Sequence, residues 1–339
     1  MLRPVDIFVG TDPELFLQTG GRIIGSEKVL PDNGLQDQYG AFSIVQDGVQ
    51  LEVQPRAAKG TQNLGANLSQ AFKLLRGHLA QIPEVICCFN GVVEVNREEL
   101  DSLSEKSRIL GCQPSKNIYG PKPINVDAKE YRKRSAGGHL HLGLGGTKIF
   151  SPSNIEDERH RQVPLLDIFV GNTGVLLDRD PGAAERRENY GRAGEYRLPK
   201  HGLEYRTLSN FWLRNYSLMS LVFGMAQVAV ATLEQSLGGE RIEDELVEVV
   251  NIERVIEAIN TNNWDLARLN FEVIRPFLAK HLPERSGIFP LTPRTLDKFL
   301  MFAEGVKDRG LEWAFPLDPV EAWTTKYGPV EFGSFLETI

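Results

Sequence analysis

Apolar and polar residues alternate with period two through much of the first 210 positions and recur at helical spacing in the last third. Val5 to Leu17 reads as a first strand with Gly10-Thr11-Asp12-Pro13-Glu14 inside it. Residues two apart on a strand share a face about 6.5 Å apart, so Asp12 and Glu14 are expected within reach of a common ion or as an adjacent pair. Pro13 has no N–H to give a ladder and marks an edge, a bulge or a strand start. Gly20-Gly21 reads as a hairpin turn. Strict alternation from Val49 to Gln54 sets Gln50, Glu52 and Gln54 against Val49, Leu51 and Val53. In Gly138-His139-Leu140-His141-Leu142 both histidines fall on one strand face and the leucines on the other.

Arg192 to Asn210, RAGEYRLPKHGLEYRTLSN, reads as a β-hairpin closed by Pro199-Lys200-His201-Gly202. With that loop, Leu198 faces Leu203, Arg197 faces Glu204, and Glu195 falls opposite Arg206. Glu195, Arg197, Glu204 and Arg206 then form a square of alternating charge on one face. A slip of one residue would break it.

Helical spacing predicts helices over Asn63 to Ile82, Val163 to Leu177, Leu213 to Leu237, Glu240 to Asn260, Trp264 to His281 and Thr292 to Arg309. Pro276 is expected to kink or divide the fifth. Ser151 to Gln162 reads as an exposed excursion and Asp178 to Tyr190 as a loop feeding the hairpin. The tail, with Trp313, Trp323, Tyr327 and Phe335, is aromatic enough to pack on the body. Without a linker or repeat, the chain reads as a single α+β domain over 1–339. A catalytic sheet and core helix occupy 1–237, and a helical extension 238–339.

Composition adds exclusions. A chain of 339 residues, 41% hydrophobic and 24% charged, is an ordinary folded protein. Its formal charge of -7 offers no basic field for coating nucleic acid. The start, MLRPVDIFVGTDPELF, lacks the apolar core of a secretory signal. Cys87, Cys88 and Cys112 have neither disulfide nor metal spacing and read as reduced thiols, so a cytoplasmic protein is expected. Leu213 to Leu237 is apolar enough to suggest a membrane span, but Arg214, Asn215, Gln227, Glu234 and Gln235 interrupt it, and a buried core helix is the better reading.

Asp12, Glu14, Glu52, Glu204 and His139 make an oxygen-rich set with one imidazole, which suits magnesium or manganese better than zinc. His141, Arg192, Arg197 and Arg206 are near in sequence. Metal-binding carboxylates beside anion-binding arginines describe a site for a metal-bound polyphosphate, the equipment of phosphoryl transfer. No Walker A, GxSxG, HExxH or paired CxxC sequence occurs, so an ATP site would be built on a sheet face. The basic, turn-rich stretch Gln113 to Ala136, with Lys116, Lys122, Lys129, Arg132, Lys133 and Arg134, reads as an anion-attracting lid.

These motifs resemble the phage-type carboxylate-amine ligases, or amidoligases, of the glutamine synthetase superfamily. Gly10-Thr11-Asp12-Pro13-Glu14-Leu15-Phe16 resembles the family's acidic first strand, Gly138-His139-Leu140-His141 its HxH, Arg192 and Arg197 its arginine pair, and Glu204-Tyr205-Arg206 its E-x-R strand. The resemblance extends over roughly residues 5 to 235. Asp12 stands where many relatives carry glutamate. What the resemblance implies is a curved, mainly antiparallel sheet lined with metal ligands and backed by helices. Asp12, Glu14, Glu52, His139 and Glu204 would bind two or more divalent metals. His141, Arg197 and Arg206 would contact ATP phosphates and the acyl-phosphate transition state, and Arg192 the carboxylate or γ-phosphate. The implied reaction joins a small-molecule or peptide carboxylate to an amine through an acyl phosphate, with ATP and magnesium or manganese as cofactors and neither nucleic acid nor membrane as partner. A homo-oligomer is compatible with the sequence. A kinase of the same fold, a metal-dependent hydrolase using the HxH and carboxylates, and a catalytically dead binding protein remain as alternatives.

Overall fold

The computed structural model describes residues 1–108, 115–120, 131–143, 149, 155–285, 287–325 and 330–338. Mixed α and β elements are arranged with every strand pair among these residues antiparallel. One six-stranded sheet runs in the order Lys116–Asn117, Glu195–Arg197, Gly202–Tyr205, Leu140–Gly143, Phe8–Gly10, Ala58–Lys59. A second contains Arg22–Ile24, Glu14–Thr19, Gln50–Pro55, Phe42–Asp47 and Leu35–Gln36, with Val85–Cys88 also pairing on Glu14–Thr19. Val92–Glu94 and Lys133–Ser135 form a separate ribbon.

The single first strand expected from Val5 to Leu17 is two strands in two sheets. Phe8–Gly10 pairs with the histidine strand, whereas Glu14–Thr19 pairs with Gln50–Pro55. Pro13 explains the break: it cannot donate to a ladder, and its carbonyl instead accepts the Val53 N–H at 3.0 Å, carrying the chain into the second sheet. The Gly20-Gly21 turn is present, with Thr19 opposite Arg22 and both glycines at positive φ.

Leu140 and Leu142 are wholly buried against the helical side of the molecule. At its centre lies Tyr216–Gln235, capped by the Asn215 side chain on the Ser217 N–H and buried at every residue but Glu234. Its burial makes it a core helix, although it is long and apolar enough to cross a membrane. The helix Thr61–Leu79 packs closely on it, since a Cβ on Gly65 would lie 2.4 Å from the Tyr216 ring. One hydrophobic cluster extends from Leu2 through the sheets and core helix to Leu336. Trp323 joins it by stacking on Phe72.

Four other boundaries differ from the pattern. A helix begins at Ile155, so most of the expected excursion over 151–162 is helical and continues through a π-helical turn, Asp167–Gly171, to Leu177. The expected loop before the hairpin contains Ala183–Asn189, where Arg186 and Arg187 are buried and donate to the Thr207, Leu208 and Gly191 carbonyls. Those charges are used to satisfy backbone acceptors, which hydropathy cannot register. Glu240 to Asn260 is divided into Ile242–Val247 and Ile252–Asn260, the latter capped by Asn251. Trp264–His281 is undivided despite Pro276. Tyr327 lies outside the described residues.

Candidate active site

The hairpin has the register its sequence predicts: Arg197 opposes Glu204 and Tyr196 opposes Tyr205. On the other side of the same strand Glu204 opposes His141. Glu204 therefore sits between an arginine and a histidine on the open face of the sheet. Arg197 Nη1 lies 3.8 Å from it, and Arg206 Nη1 makes a short ion pair with it. Glu195 completes the register but turns its carboxylate to the Gly191 and Arg192 N–H groups, 3.1 and 3.2 Å away. Arg206 is 1% exposed and Arg197 is half-buried, so Arg197 is the more accessible of the two.

Gly10 faces His141 across the ladder, and this brings Asp12 to both histidines. Asp12 Oδ1 lies 2.9 Å from His139 Nδ1, and Oδ2 lies 3.2 Å from His141 Nε2. His139 Nδ1 is also 3.6 Å from Glu204 Oε1. Behind the ring, the Tyr190 hydroxyl contacts His139 Nε2 and accepts from Arg206 Nη2 at 2.6 Å. Thr11 Oγ1 donates to the His139 carbonyl at 2.6 Å. A Cβ on Gly138 would lie 2.4 Å from the Ser209 carbonyl oxygen, so the glycine is required for the strand to lie this close.

Two residues past Asp12, Glu14 opposes Glu52 in the second sheet. Asp47 approaches them from the neighbouring strand. Donor atoms of Glu14, Asp47 and Glu52 all lie within 4.8 Å of one another, as do those of Asp12, His139 and Glu204. Donors on opposite sides of a hard cation are separated by roughly 4.2 to 4.8 Å at ordinary metal–oxygen lengths, so both groups have the dimensions of a cation site. The structure thus brings all five sequence-predicted metal ligands into two adjoining triads. Arg192 is not brought to them by any contact in the described residues; its guanidinium donates to the Arg187 carbonyl at 3.3 Å.

Electrostatics separate the triads. Burial, followed by the Asp47 charge, pushes Glu14 up to about 8. Burial and then Asp12 push Glu52 up to about 8. Burial likewise raises Asp47, with Asp12 adding to it. Three carboxyls with raised pKa values gain from a cation that replaces their protons. Burial also opposes the ionised form of Asp12, but His139 and His141 outweigh it and hold the carboxyl below its usual range. Burial and then Arg206 lower His139 to about 4, leaving a neutral imidazole suited to ligation. For His141 burial favours the neutral ring, but Asp12 prevails and raises its pKa.

Asp47 was not among the sequence-predicted ligands. Its signal was present: Asp47-Gly48-Val49-Gln50 is a two-residue hairpin in which Asp47 opposes Gln50, placing Asp47 on the face that carries Glu52. His201 was also missed. Its ring stacks on His141 at 5.1 Å, with Nε2 2.9 Å from His141 Nδ1.

Arg132 and Arg134, expected as lid groups, are engaged by the ribbon and the segments beside it. Arg134 is buried and donates to the Lys133 and Arg108 carbonyls, while Arg132 pairs with Glu94 and donates to the Val95 carbonyl. Pairing of Lys133–Ser135 with Val92–Glu94 fixes them there. Lys122 and Lys129 lie outside the described residues.

With this geometry in place, residues 124–250 match a family model of carboxylate–amine ligases, enzymes that form C–N bonds. The matching family is described as Phage phiEco32-like COOH.NH2 ligase-type 2, and the resemblance to phage-type amidoligases holds over this stretch. It includes His139, His141, the whole hairpin and the whole core helix; Asp12, Glu14, Asp47 and Glu52 precede it. No curated protein matches the chain.

Proposed function

We propose that this protein is an ATP-dependent carboxylate-amine ligase that works through an acyl phosphate on a glutamine synthetase-like sheet. The observation that carries the reading is the pair of triads, Asp12–His139–Glu204 and Glu14–Asp47–Glu52, adjoining Arg197. Magnesium or manganese held there would neutralise phosphate oxygens in the transfer. The half-buried Arg197 is placed to meet an anion above Glu204. Arg206, fully buried, orients Glu204 and Tyr190. His141 presents its ring beside Asp12 toward the same face. Arg192 contributes by holding the turn that sets Glu195.

In the proposed reaction an oxygen of the substrate carboxylate attacks the γ-phosphorus of ATP and ADP leaves. The amine nitrogen then attacks the acyl carbon, its proton is lost, and inorganic phosphate departs. Water must be kept from the acyl phosphate between these steps. Small-molecule or peptide carboxylates and amines are the expected substrates, and the cytoplasm the expected compartment.

The test is ADP and phosphate release with magnesium, using pooled amino acids, amines and short peptides and detecting products by mass spectrometry, with Glu204→Gln as the blank. Amine-dependent ADP release with a condensation product, absent from the blank, is expected. ADP formation with a stable phosphorylated product and no amide would instead mark a kinase. Turnover without ATP would mark a hydrolase.

A further inference from the structure

The two triads differ in donor type. The first contains the His139 imidazole, a ligand that calcium sites do not use, whereas Glu14, Asp47 and Glu52 are all carboxylates, which calcium, magnesium and manganese all accept. Selection among these ions at the second triad therefore has to come from how the carboxylates are held.

Two of the three are held by one oxygen. Glu14 Oε2 accepts the Gly137 N–H at 2.7 Å, and the Gly137 carbonyl accepts the Glu14 N–H at 2.9 Å in return, which ties that carboxylate to backbone. Glu52 Oε1 accepts a short hydrogen bond from Gln54 Nε2. Behind it, Ser43 Oγ donates to Gln54 Oε1 at 2.9 Å. The ladder sets these groups in line: Ser43 opposes Gln54, Val45 opposes Glu52 and Asp47 opposes Gln50, so Ser43, Asp47, Glu52 and Gln54 share a face. An ionised carboxylate only accepts, so the amide turns its NH2 group to Glu52 and its oxygen to the serine hydroxyl. Gln54 is exposed, so these hydrogen bonds and not packing set its side chain. Asp47 and Glu52 are half-buried, which leaves the triad open from their side.

A carboxylate chelates an ion only when both of its oxygens turn to it, and an N–H fixed on one of them leaves the other to bind alone. Calcium takes about six to eight oxygens at about 2.3 to 2.6 Å and draws on chelating carboxylates to reach that number. Magnesium takes about six at about 2.0 to 2.1 Å, keeps several waters and is satisfied by single carboxylate oxygens. We propose that Gln54, by holding one oxygen of Glu52, is the positioning residue that makes the second triad select magnesium or manganese over calcium. Ser43 keeps its amide turned the right way, and the Gly137 N–H does for Glu14 what Gln54 does for Glu52.

The test displaces manganese from the nucleotide-free whole chain with magnesium or calcium at constant pH, followed by electron paramagnetic resonance. The ion missing from Asp47→Asn marks the second site. In the unaltered protein calcium should need at least about tenfold the concentration of magnesium to release that ion. Gln54→Met keeps the length of the side chain and removes its donor, and should cut this ratio by about tenfold, the low end of what an outer partner contributes. Ser43→Ala should cut it less, in the same direction. A proton on Glu52 competes with every ion alike, so the ratio reads the held oxygen alone. Equal displacement by the two ions in the unaltered protein, an unchanged ratio in Gln54→Met, or no second manganese to displace would overturn the proposal. The comparison in the unaltered protein decides even where a variant fails to fold. The proposal rests on the second triad as a cation site. With no nucleotide or substrate present, its failure leaves the ligase reading standing, and failure of that reading would show in ADP release instead.

Discussion

Asp12 and Glu14 are separated by one residue, yet their carboxylates serve different triads: Asp12 lies 2.9 Å from His139 in the first sheet, and Glu14 opposes Glu52 in the second. The chain crosses between sheets at Pro13. Two neighbouring acidic groups are thereby distributed over two candidate cation sites, with a single short segment as the common wall.

This arrangement predicts separable metals. Manganese titration followed by electron paramagnetic resonance should give two equivalents for the unaltered protein and one for either Asp12→Asn or Asp47→Asn. Loss of both ions in each single variant would mean one shared site. Full retention in both would remove the triads as cation sites.

Tyr190 contacts His139 Nε2 and accepts from Arg206. Removal of an outer partner of a metal-ligating histidine typically costs about 10- to 100-fold in metal affinity or activity. Tyr190→Phe should therefore weaken manganese binding by about that factor while the thermal midpoint changes little. An unchanged manganese affinity would reduce Tyr190 to a packing residue.

Asp167 is wholly buried and accepts the Tyr205 and Tyr119 hydroxyls at 2.6 and 2.9 Å. Burial outweighs those hydrogen bonds and pushes its pKa from 3.8 up to about 6. The folded state therefore holds the proton more tightly than the unfolded chain. The stability this contributes is fully present below about pH 4 and is lost as the pH rises through about 6. A rise of that size is worth about 3 kcal/mol. Asp167→Asn, which cannot ionise, should gain on the parent by about that amount between pH 4 and pH 7 in urea unfolding. A constant difference across that range would show that Asp167 does not change ionisation there.

A Cβ on Gly138 would lie 2.4 Å from the Ser209 carbonyl oxygen and 2.5 Å from Trp212 Nε1, both held within the core. Gly138→Ala should cost about 1 to 3 kcal/mol in unfolding measurements, as overpacking does. Added manganese should recover little of it, because the strand itself has moved. Parental stability in this variant would show that the strand relaxes without cost.

Local patterning alone determined a good deal. The hairpin register follows from a four-residue loop and period-two alternation, and Glu204 opposite Arg197 is its direct consequence. His139 and His141 share a face because strand side chains alternate. Tyr216–Gln235 is a core helix because almost nothing in it tolerates water. These are short-range facts, set by residues within a turn or a hairpin of each other.

Tertiary structure alone decided the rest. Alternation put Asp12 and Glu14 on a common face, but Pro13 divided them between sheets, and only the pairing of each sheet with distant strands assigned Asp12 to His139 and Glu14 to Glu52. Asp47 shares a face with Glu52 through a local hairpin, but only the pairing of Gln50–Pro55 with Glu14–Thr19 brought Glu14 to them and made the second triad. Arg134, Arg186 and Arg187, charged and expected outside, are buried because backbone carbonyls needed donors there. A side chain's face is set by local geometry, whereas its partner is set by which strands and helices meet, and that depends on burying one continuous core from Leu2 to Leu336.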